Sequence, residues 1–201
     1  MKMRSALLVL SVLWTFLPAL SGAGTSPQPA GIVPLPDSSL YQVASPWRRD
    51  DGVTIKLADL RGRVRVVSMF FTGCDNLCPM LLGQLQALEK AMPPALKNKV
   101  GFVMVTLDAK DDSPGALVAY RKKSGLPADR WVLLRGSPDD TRELAALLGV
   151  RYSPKTDRGQ MGHTGLIAIL DREGRMVSHV EGITDQKAFL ADLTRAVSSG
   201  R

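Results

Sequence analysis

The chemistry of this chain centres on its two cysteines, Cys74 and Cys78, which are separated by three residues. A cysteine thiolate is both a nucleophile and a soft metal ligand. Two of them this close can cycle between a dithiol and a disulfide, or bind one metal ion together. A disulfide between them would close a very short loop and add little stability, so a purely structural bridge is not expected. The spacing leaves redox chemistry and metal binding open.

The sequence has two histidines, His163 and His179, for which we expect different roles. His163 directly precedes an apolar, strand-like run, and pairing of that strand within a mixed sheet would bring it beside the cysteines. His179 alternates along the last predicted hairpin and is interpreted as a structural residue. Two thiolates and one imidazole form a soft site of low coordination number, which suits Cu(I), or Cu(II) with an added ligand. Structural zinc normally requires four protein ligands.

Three further side chains stand near the predicted site. Met80 and Met161 carry thioethers, which are soft donors for copper, but the filling of core space is the more common role of methionine. Asp108 follows a predicted strand that ends at the same edge of the sheet. Its carboxylate is predicted either to hold or tune a ligand through a hydrogen bond, or to serve only as a turn residue.

The segments around these residues alternate between strand-like and helix-like patterns, in the order β, β, α, β, α, β, α, β, β, α. A hairpin turn at residues 50–52 comes first, and a short strand over residues 53–57 follows it. The largely apolar runs 64–71 and 100–107 are typical of buried central strands. Such alternation predicts an α/β domain whose mixed sheet has a parallel part and helices on both faces.

The cysteines follow the strand over residues 64–71 and precede a helix that we expect to have Pro79 at its first position. Cys78 is then predicted at or near the N-cap, one helical turn from Cys74, so that both sulfurs lie on one side. The positive end of the helix dipole lowers the pKa of a nearby thiol. Open α/β sheets bind their ligands at this carboxyl edge.

The first residues have the composition of an export signal. Lys2 and Arg4 precede a mostly apolar run over residues 6–20, and small residues follow. We predict a cleaved signal peptide over residues 1–23 and a flexible, Gly/Pro/Ser-rich leader over 24–40. The alternative is an uncleaved anchor at the inner membrane that faces the periplasm, although the apolar run is shorter than the roughly 20 residues of a spanning helix.

Residues 41–201 are predicted to form one domain in the periplasm or another exported location. The formal net charge is +7. The basic residues are scattered, and no run is long enough for a nucleic-acid-binding arm, so no nucleic acid partner is predicted. The positive surface is instead suited to an acidic partner or to association with an anionic membrane surface.

From about Leu40 to its end, the chain resembles the Sco/SenC family, copper-binding thioredoxin-fold proteins involved in cytochrome c oxidase assembly. The order and spacing of its motifs carry the resemblance. These motifs are Asp51-Gly52, the run from Leu57 to Gly62, Phe71-Thr72, Cys74-x-x-x-Cys78-Pro79, the run from Val105 to Asp108, Asp112-Ser113-Pro114, His163-Thr164 and the run from Leu170 to Gly174.

The resemblance implies a thioredoxin-like mixed sheet with helices on both faces and an added N-terminal β-hairpin. It also implies a copper site made of Cys74, Cys78 and His163, with the two cysteines able to form a disulfide. The aspartate that the family has after its third core strand falls on Asp108. The implied partners are the CuA domain of cytochrome c oxidase subunit II, and other periplasmic copper chaperones or thiol reductants.

Two functions remain open at this point. The first is a copper chaperone that supplies the CuA site, and the second is a periplasmic thiol-disulfide reductase or redox sensor that uses the same cysteine pair. Thioredoxin-type enzymes carry a cis-proline where this chain has Gly162-His163. An imidazole there favours a metal over a passing peptide, so we expect a metallochaperone rather than an enzyme.

Overall fold

The computed structural model describes residues 34–153, 155–156 and 160–199 of the chain. The predicted signal peptide and residues 24–33 of the predicted leader lie outside this part. Within it, no helix is both long enough and apolar enough to cross a bilayer. Ser39 and Leu40, at the end of the predicted leader, are bonded to a distant turn, because Leu40 N–H donates to the carbonyl of Gly174 at 3.0 Å.

One seven-stranded mixed sheet forms the centre of the domain, in the order β2-β1-β5-β4-β3-β6-β7. Its strands are β1 Trp47–Arg49, β2 Thr54–Ile55, β3 Val64–Phe70, β4 Val100–Thr106, β5 Trp131–Arg135, β6 Leu166–Leu170 and β7 Met176–Glu181. Strands β3, β4 and β5 are parallel, and the remaining pairs are antiparallel. The predicted α/β fold with a mixed sheet and a parallel part is confirmed.

Five α-helices surround the described sheet: α1 Leu77–Ala91, α2 Pro94–Lys97, α3 Pro114–Ser124, α4 Pro138–Leu148 and α5 Gln186–Ser198. Two short 3-10 helices, Leu40–Gln42 and Leu57–Leu60, precede β1 and β3. Buried side chains of α1, α3 and α5 pack on one face of the sheet, and those of α4 and the 3-10 helices pack on the other. Helices therefore cover both faces, as predicted.

Strand β3 lies at the centre of the domain and contributes side chains to the hydrophobic cores on both faces of the sheet. All seven of its residues are buried, and alternate side chains serve opposite faces, since Phe70 joins the core beneath α1 and Met69 joins the core beneath α4. A strand buried on both faces is mostly apolar in sequence. The two polar residues of β3, Arg65 and Ser68, donate to the carbonyls of Leu60 and Leu166.

The N-terminal hairpin extends the sheet through β1, which pairs antiparallel with β5. Gly52 makes its turn with a φ of 84°, a left-handed conformation that favours glycine. The strand after the turn is shorter than the predicted 53–57, because Lys56 N–H donates to Asp59 Oδ2 at 2.8 Å and starts a 3-10 helix there.

Two element boundaries differ from prediction near the cysteines and the histidine. Helix α1 begins at Leu77, so Pro79 is its third residue rather than its first. Proline fits there as well, because the amides of the first turn have no intrahelical acceptor. Strand β6 begins at Leu166 rather than at Thr164, because Thr164 N–H donates instead to the carbonyl of Arg151 at 2.9 Å.

Candidate metal centre

The cysteine loop joins the carboxyl end of β3 to the start of α1. A turn forms first, with Cys74 N–H donating to the carbonyl of Phe71 at 3.2 Å. Cys78 is the second residue of α1, and its N–H donates to Cys74 Sγ at 3.2 Å. A free amide of the first helical turn is therefore aimed at the Cys74 sulfur.

The two cysteines differ in exposure and in acidity. Both are free thiols; Cys74 is half-buried, whereas Cys78 is only 2% exposed. Burial raises the pKa of the Cys78 thiol, and its hydrogen bond with Cys74 raises it further. In the metal-free protein, Cys78 is thus a protonated thiol at neutral pH.

His163 reaches the cysteines because β6 runs antiparallel to β3. The start of β6 therefore lies at the carboxyl end of β3, and His163 stands just before that start. Its Nε2 lies 3.3 Å from Cys78 Sγ. Its Nδ1 lies 3.1 Å from the carbonyl oxygen of Thr164. Because a carbonyl oxygen can only accept a hydrogen bond, Nδ1 carries the proton in this contact. In the neutral ring, Nε2 then has a free lone pair, which faces the cysteines.

The environment of His163 keeps it neutral. Burial lowers the pKa of this imidazole, and the hydrogen bond to the Thr164 carbonyl offsets only part of that effect. The ring of Phe71 packs edge-on against it, with 6.1 Å between the ring centres. One donor atom from each of Cys74, Cys78 and His163 lies within 4.8 Å of the others. The structure thus brings together all three residues that the sequence singled out as ligands.

Backbone hydrogen bonds to neighbouring residues hold His163 in place. We use "His163 arm" for residues 151–153, 155–156 and 160–164. Ser153 N–H donates to the carbonyl of Gly162 at 2.8 Å, and Tyr152 forms a β-bridge with His163. Thr156 N–H donates to the carbonyl of Gln160 at 2.8 Å. The imidazole is therefore held on a hydrogen-bonded ladder.

Asp108 contacts this arm. Its Oδ2 lies 2.6 Å from Lys155 Nζ, and Asp111 Oδ2 lies 2.7 Å from the same ammonium. Asp108 is buried, and its other oxygen accepts from Asp111 N–H. A role for Asp108 in holding a ligand stays a prediction. Asp108 would act on His163 indirectly, through its contact with Lys155 of the His163 arm. On the other side, Gln160 Nε2 donates to Asp75 of the cysteine loop at 3.4 Å.

Asp112 is a residue whose position sequence reasoning missed. It is 2% exposed, and its carboxylate accepts from Thr72 N–H at 3.0 Å, from the Thr72 hydroxyl and from the Thr106 hydroxyl. One buried carboxylate thus ties the cysteine loop to the end of β4. The available signal was a hydroxyl residue at or just after the end of each of two neighbouring strands, followed by an aspartate next to the helix cap Ser113.

The remaining candidates lie elsewhere or serve the core. Met80 is 53% exposed on α1. Met161 is partly buried and packs against both hydrophobic cores, as its interpretation as core filler predicts. His179 lies on the edge strand β7, opposite Ala168 of β6. The candidate metal group among the described residues consists of Cys74, Cys78 and His163.

Comparison with known proteins places this geometry in a family. A family model described as SCO1/SenC matches residues 41–198, which is more than half of the chain. The chain belongs to the SCO1/SenC family. The family to which the sequence was similar is therefore confirmed, together with the thioredoxin-like fold that it implied.

The SCO1/SenC relatives have low sequence identity to this chain, but the aligned regions are long. A Stutzerimonas stutzeri protein named for copper binding is 25% identical over 126 residues, which are 60% of this chain and 59% of that protein. The match therefore spans less than two thirds of that relative. A SCO1/SenC family lipoprotein from Bacillus anthracis is 26% identical, with a TM-score of 0.67 over 75% of this chain and 91% of that one.

A third relative is a solved structure that contains the metal. Arabidopsis thaliana ScoI with copper bound has a TM-score of 0.67 and 21% identity, and the match covers 77% of this chain and 96% of that one. At this identity the likeness shows a shared fold. The SCO1/SenC fold is thus retained across organisms although most residues differ.

Proposed function

We propose that this SCO1/SenC protein binds one copper ion through Cys74, Cys78 and His163 and carries it as cargo. The observation that carries the proposal is the convergence of these three donor atoms within 4.8 Å. The names of the S. stutzeri protein and of copper-bound ScoI from A. thaliana support the choice of metal.

The donor set fits copper better than other common metals. Two thiolates and one imidazole are soft ligands, and Cu(I) accepts two or three of them. Structural zinc takes four protein ligands, and no fourth Cys, His, Asp or Glu joins the group within the described ranges. Calcium and magnesium need oxygen ligands, which this site lacks.

The destination that we propose is the CuA site of cytochrome c oxidase subunit II, which the family resemblance implies. The protein would work after export, in the periplasm or anchored to the membrane that faces it, and pass copper by ligand exchange. Only reduced thiols bind the metal, because a disulfide removes both thiolates. Periplasmic thiol reductants or other copper chaperones would therefore supply electrons or metal.

Titration of the reduced protein tests the copper site. Wild type should bind about one copper per chain, and His163→Ala should weaken Cu(II) binding by about 10-fold or more while the cysteines still oxidise to a disulfide. His179→Ala is the matched control, since His179 lies on β7 outside the metal group. Equal copper affinity in wild type and His163→Ala would remove His163 from the site.

In cells, oxidase activity tests the proposed destination. A deletion strain should lose cytochrome c oxidase activity, and added copper should restore it if the protein supplies metal. Reintroduction of the Cys74→Ser variant should leave the defect in place. Full oxidase activity in the deletion strain at limiting copper would contradict delivery to this enzyme.

A second function, thiol-disulfide reduction or redox sensing, is favoured by one specific observation. Cys78 N–H donates to Cys74 Sγ, so the two cysteines are adjacent, and one can attack a target disulfide while the other resolves the mixed disulfide. The reduction potential of the pair and turnover of an oxidised CuA domain measure this activity. A reduced protein that leaves the CuA disulfide intact would exclude the reductase function.

A further inference from the structure

A groove opens beside the exposed side of Cys74 and runs along α3. Its volume is about 320 Å³. One wall is the cysteine loop, with Thr72 and Cys74, and the other is α3. Cys78 and His163 do not line it, so Cys74 is the member of the candidate metal group that faces this space.

The α3 wall carries small side chains on one helix face, which leaves space for a peptide segment. Ala116, Ala119, Tyr120 and Lys123 occupy positions three, four and seven residues apart, which lie on one face of a helix. The two alanine side chains are short and leave the groove open. Lys123 lies near the C-terminal end of α3, and its side chain is exposed. No carboxylate in the described ranges forms an ion pair with Lys123.

Both walls of the groove are anchored to the core. Asp112 binds Thr72 of one wall and lies directly before the cap of α3, the other wall. At the far end of α3, the Arg121 guanidinium pairs with buried Asp50 and donates to the carbonyl of Trp131 at 3.0 Å. A surface that needs no rearrangement binds a partner at a lower entropic cost.

We infer that this groove docks a cysteine-containing segment of a partner protein that has a negative charge next to its cysteine. The segment lies along α3, its carboxylate meets the Lys123 ammonium, and its sulfur meets Cys74. This inference rests on the proposed function and specifies the surface through which the site exchanges copper or electrons. Charge complementarity at Lys123 selects an acidic segment over a neutral one.

The exchange step can be followed directly with peptide disulfides. The probes are blocked pentapeptides with a central cysteine, flanked on both sides by glutamate or by glutamine, each joined to 2-thiopyridine. The Cys74 thiolate attacks the peptide sulfur, a Cys74–peptide S–S bond forms, and pyridine-2-thiolate leaves with the electron pair of the broken bond. A Cys78→Ser background stops the reaction at this stage.

The charge at Lys123 should decide the relative rates. At low ionic strength, the acidic peptide should react about three to ten times faster than the amide peptide, and salt should shrink the ratio. Lys123→Gln should bring the ratio close to one. Lys90→Gln removes the same charge from an exposed lysine of α1 and should leave the ratio unchanged. Identical ratios in all three proteins would overturn the inference.

Two further measurements separate the groove from the metal site and from small thiols. Ala119→Phe fills the groove from an exposed position, so it should slow the acidic peptide while copper uptake by the protein with both cysteines stays the same. Normal copper binding without charge selection refutes only the groove, whereas absent copper binding refutes the proposed function. A glutathione–pyridyl disulfide that reacts as fast as the acidic peptide would overturn docking of a protein segment.

Discussion

The ammonium of Lys155 lies 2.6 Å from a carboxylate oxygen of Asp108 and joins the His163 arm to the loop after β4. Asp111 holds the same ammonium at 2.7 Å. The Lys155 side chain is 33% exposed, so solvent partly screens the ion pair that it forms with Asp108. Its effect is local, because it fixes the arm that presents the imidazole.

Lys155→Met should loosen the His163 arm. We expect Cu(II) to dissociate about three to ten times faster, because one ligand is less well oriented. The dissociation rate of Cu(I), which the two thiolates bind, should change less. Competition with a chelator in a stopped-flow instrument measures both rates. Asp108→Asn should have the same effect, and the double variant should be no worse than either single one; additive effects would contradict a shared contact.

Replacement of Asp112 should strongly destabilise the domain. Its buried carboxylate accepts three hydrogen bonds, from the amide and hydroxyl of Thr72 and from the hydroxyl of Thr106. Asp112→Ala leaves these donors unpaired and should lower the free energy of unfolding by about 2–4 kcal/mol in urea. Asp139→Ala removes an exposed acid of α4 and should change it by less than about 0.5 kcal/mol.

The stability of the metal-free protein should fall at both ends of the pH range. Burial lowers the pKa of His163, so the unfolded chain takes up this proton first and stability falls as the pH drops below about 6.5. Burial raises the pKa of Cys78, so the unfolded chain loses this proton first and stability falls as the pH rises above about 8.5.

Urea midpoints from pH 5 to 10 measure these two slopes. His163→Gln should flatten the acid side relative to wild type, and Cys78→Ala should flatten the alkaline side. Each variant is the control for the other, because it removes one titrating group and keeps the second. A wild-type profile that matches both variants would show that neither group governs the pH dependence.

Two glycines should respond in opposite directions to alanine. Gly174 has a φ of 82°, and a Cβ there would lie 2.5 Å from the Tyr41 ring, so Gly174→Ala should cost about 2–4 kcal/mol. Gly83 is in α1 with open space around a Cβ, and Gly83→Ala should stabilise by about 0.5–1 kcal/mol. Thermal midpoints separate the two outcomes, and equal shifts would contradict the packing around Gly174.

Much of the fold could be predicted because its signals are local. The apolar runs of β3 and β4 and the caps Ser113 and Ser137 each depend on a few neighbouring residues. The start of α1 could not be fixed from Pro79, since proline is tolerated throughout the first helical turn.

The candidate site was predictable in its ligands but not in its supports. Cys74, Cys78 and His163 have side chains whose chemistry is rare and specific. The contacts of Asp112 with Thr72, and of Lys155 with Asp108, join common polar residues that are far apart in the chain. Only the order and direction of the strands bring such residues together.

Because β3 and β6 pair antiparallel, the proposed copper site of three donors exists only in the folded chain. His163 is 85 residues away from Cys78 in the sequence, so an unfolded chain offers a dithiol without its imidazole. A metal ion that binds before folding has only the two sulfurs of a flexible chain as ligands, whereas one that binds afterwards has the three proposed donors. Binding to the folded state alone then raises the free energy of unfolding, by more when the affinity is higher. We therefore expect the order of folding and metal loading to affect how tightly the protein holds copper.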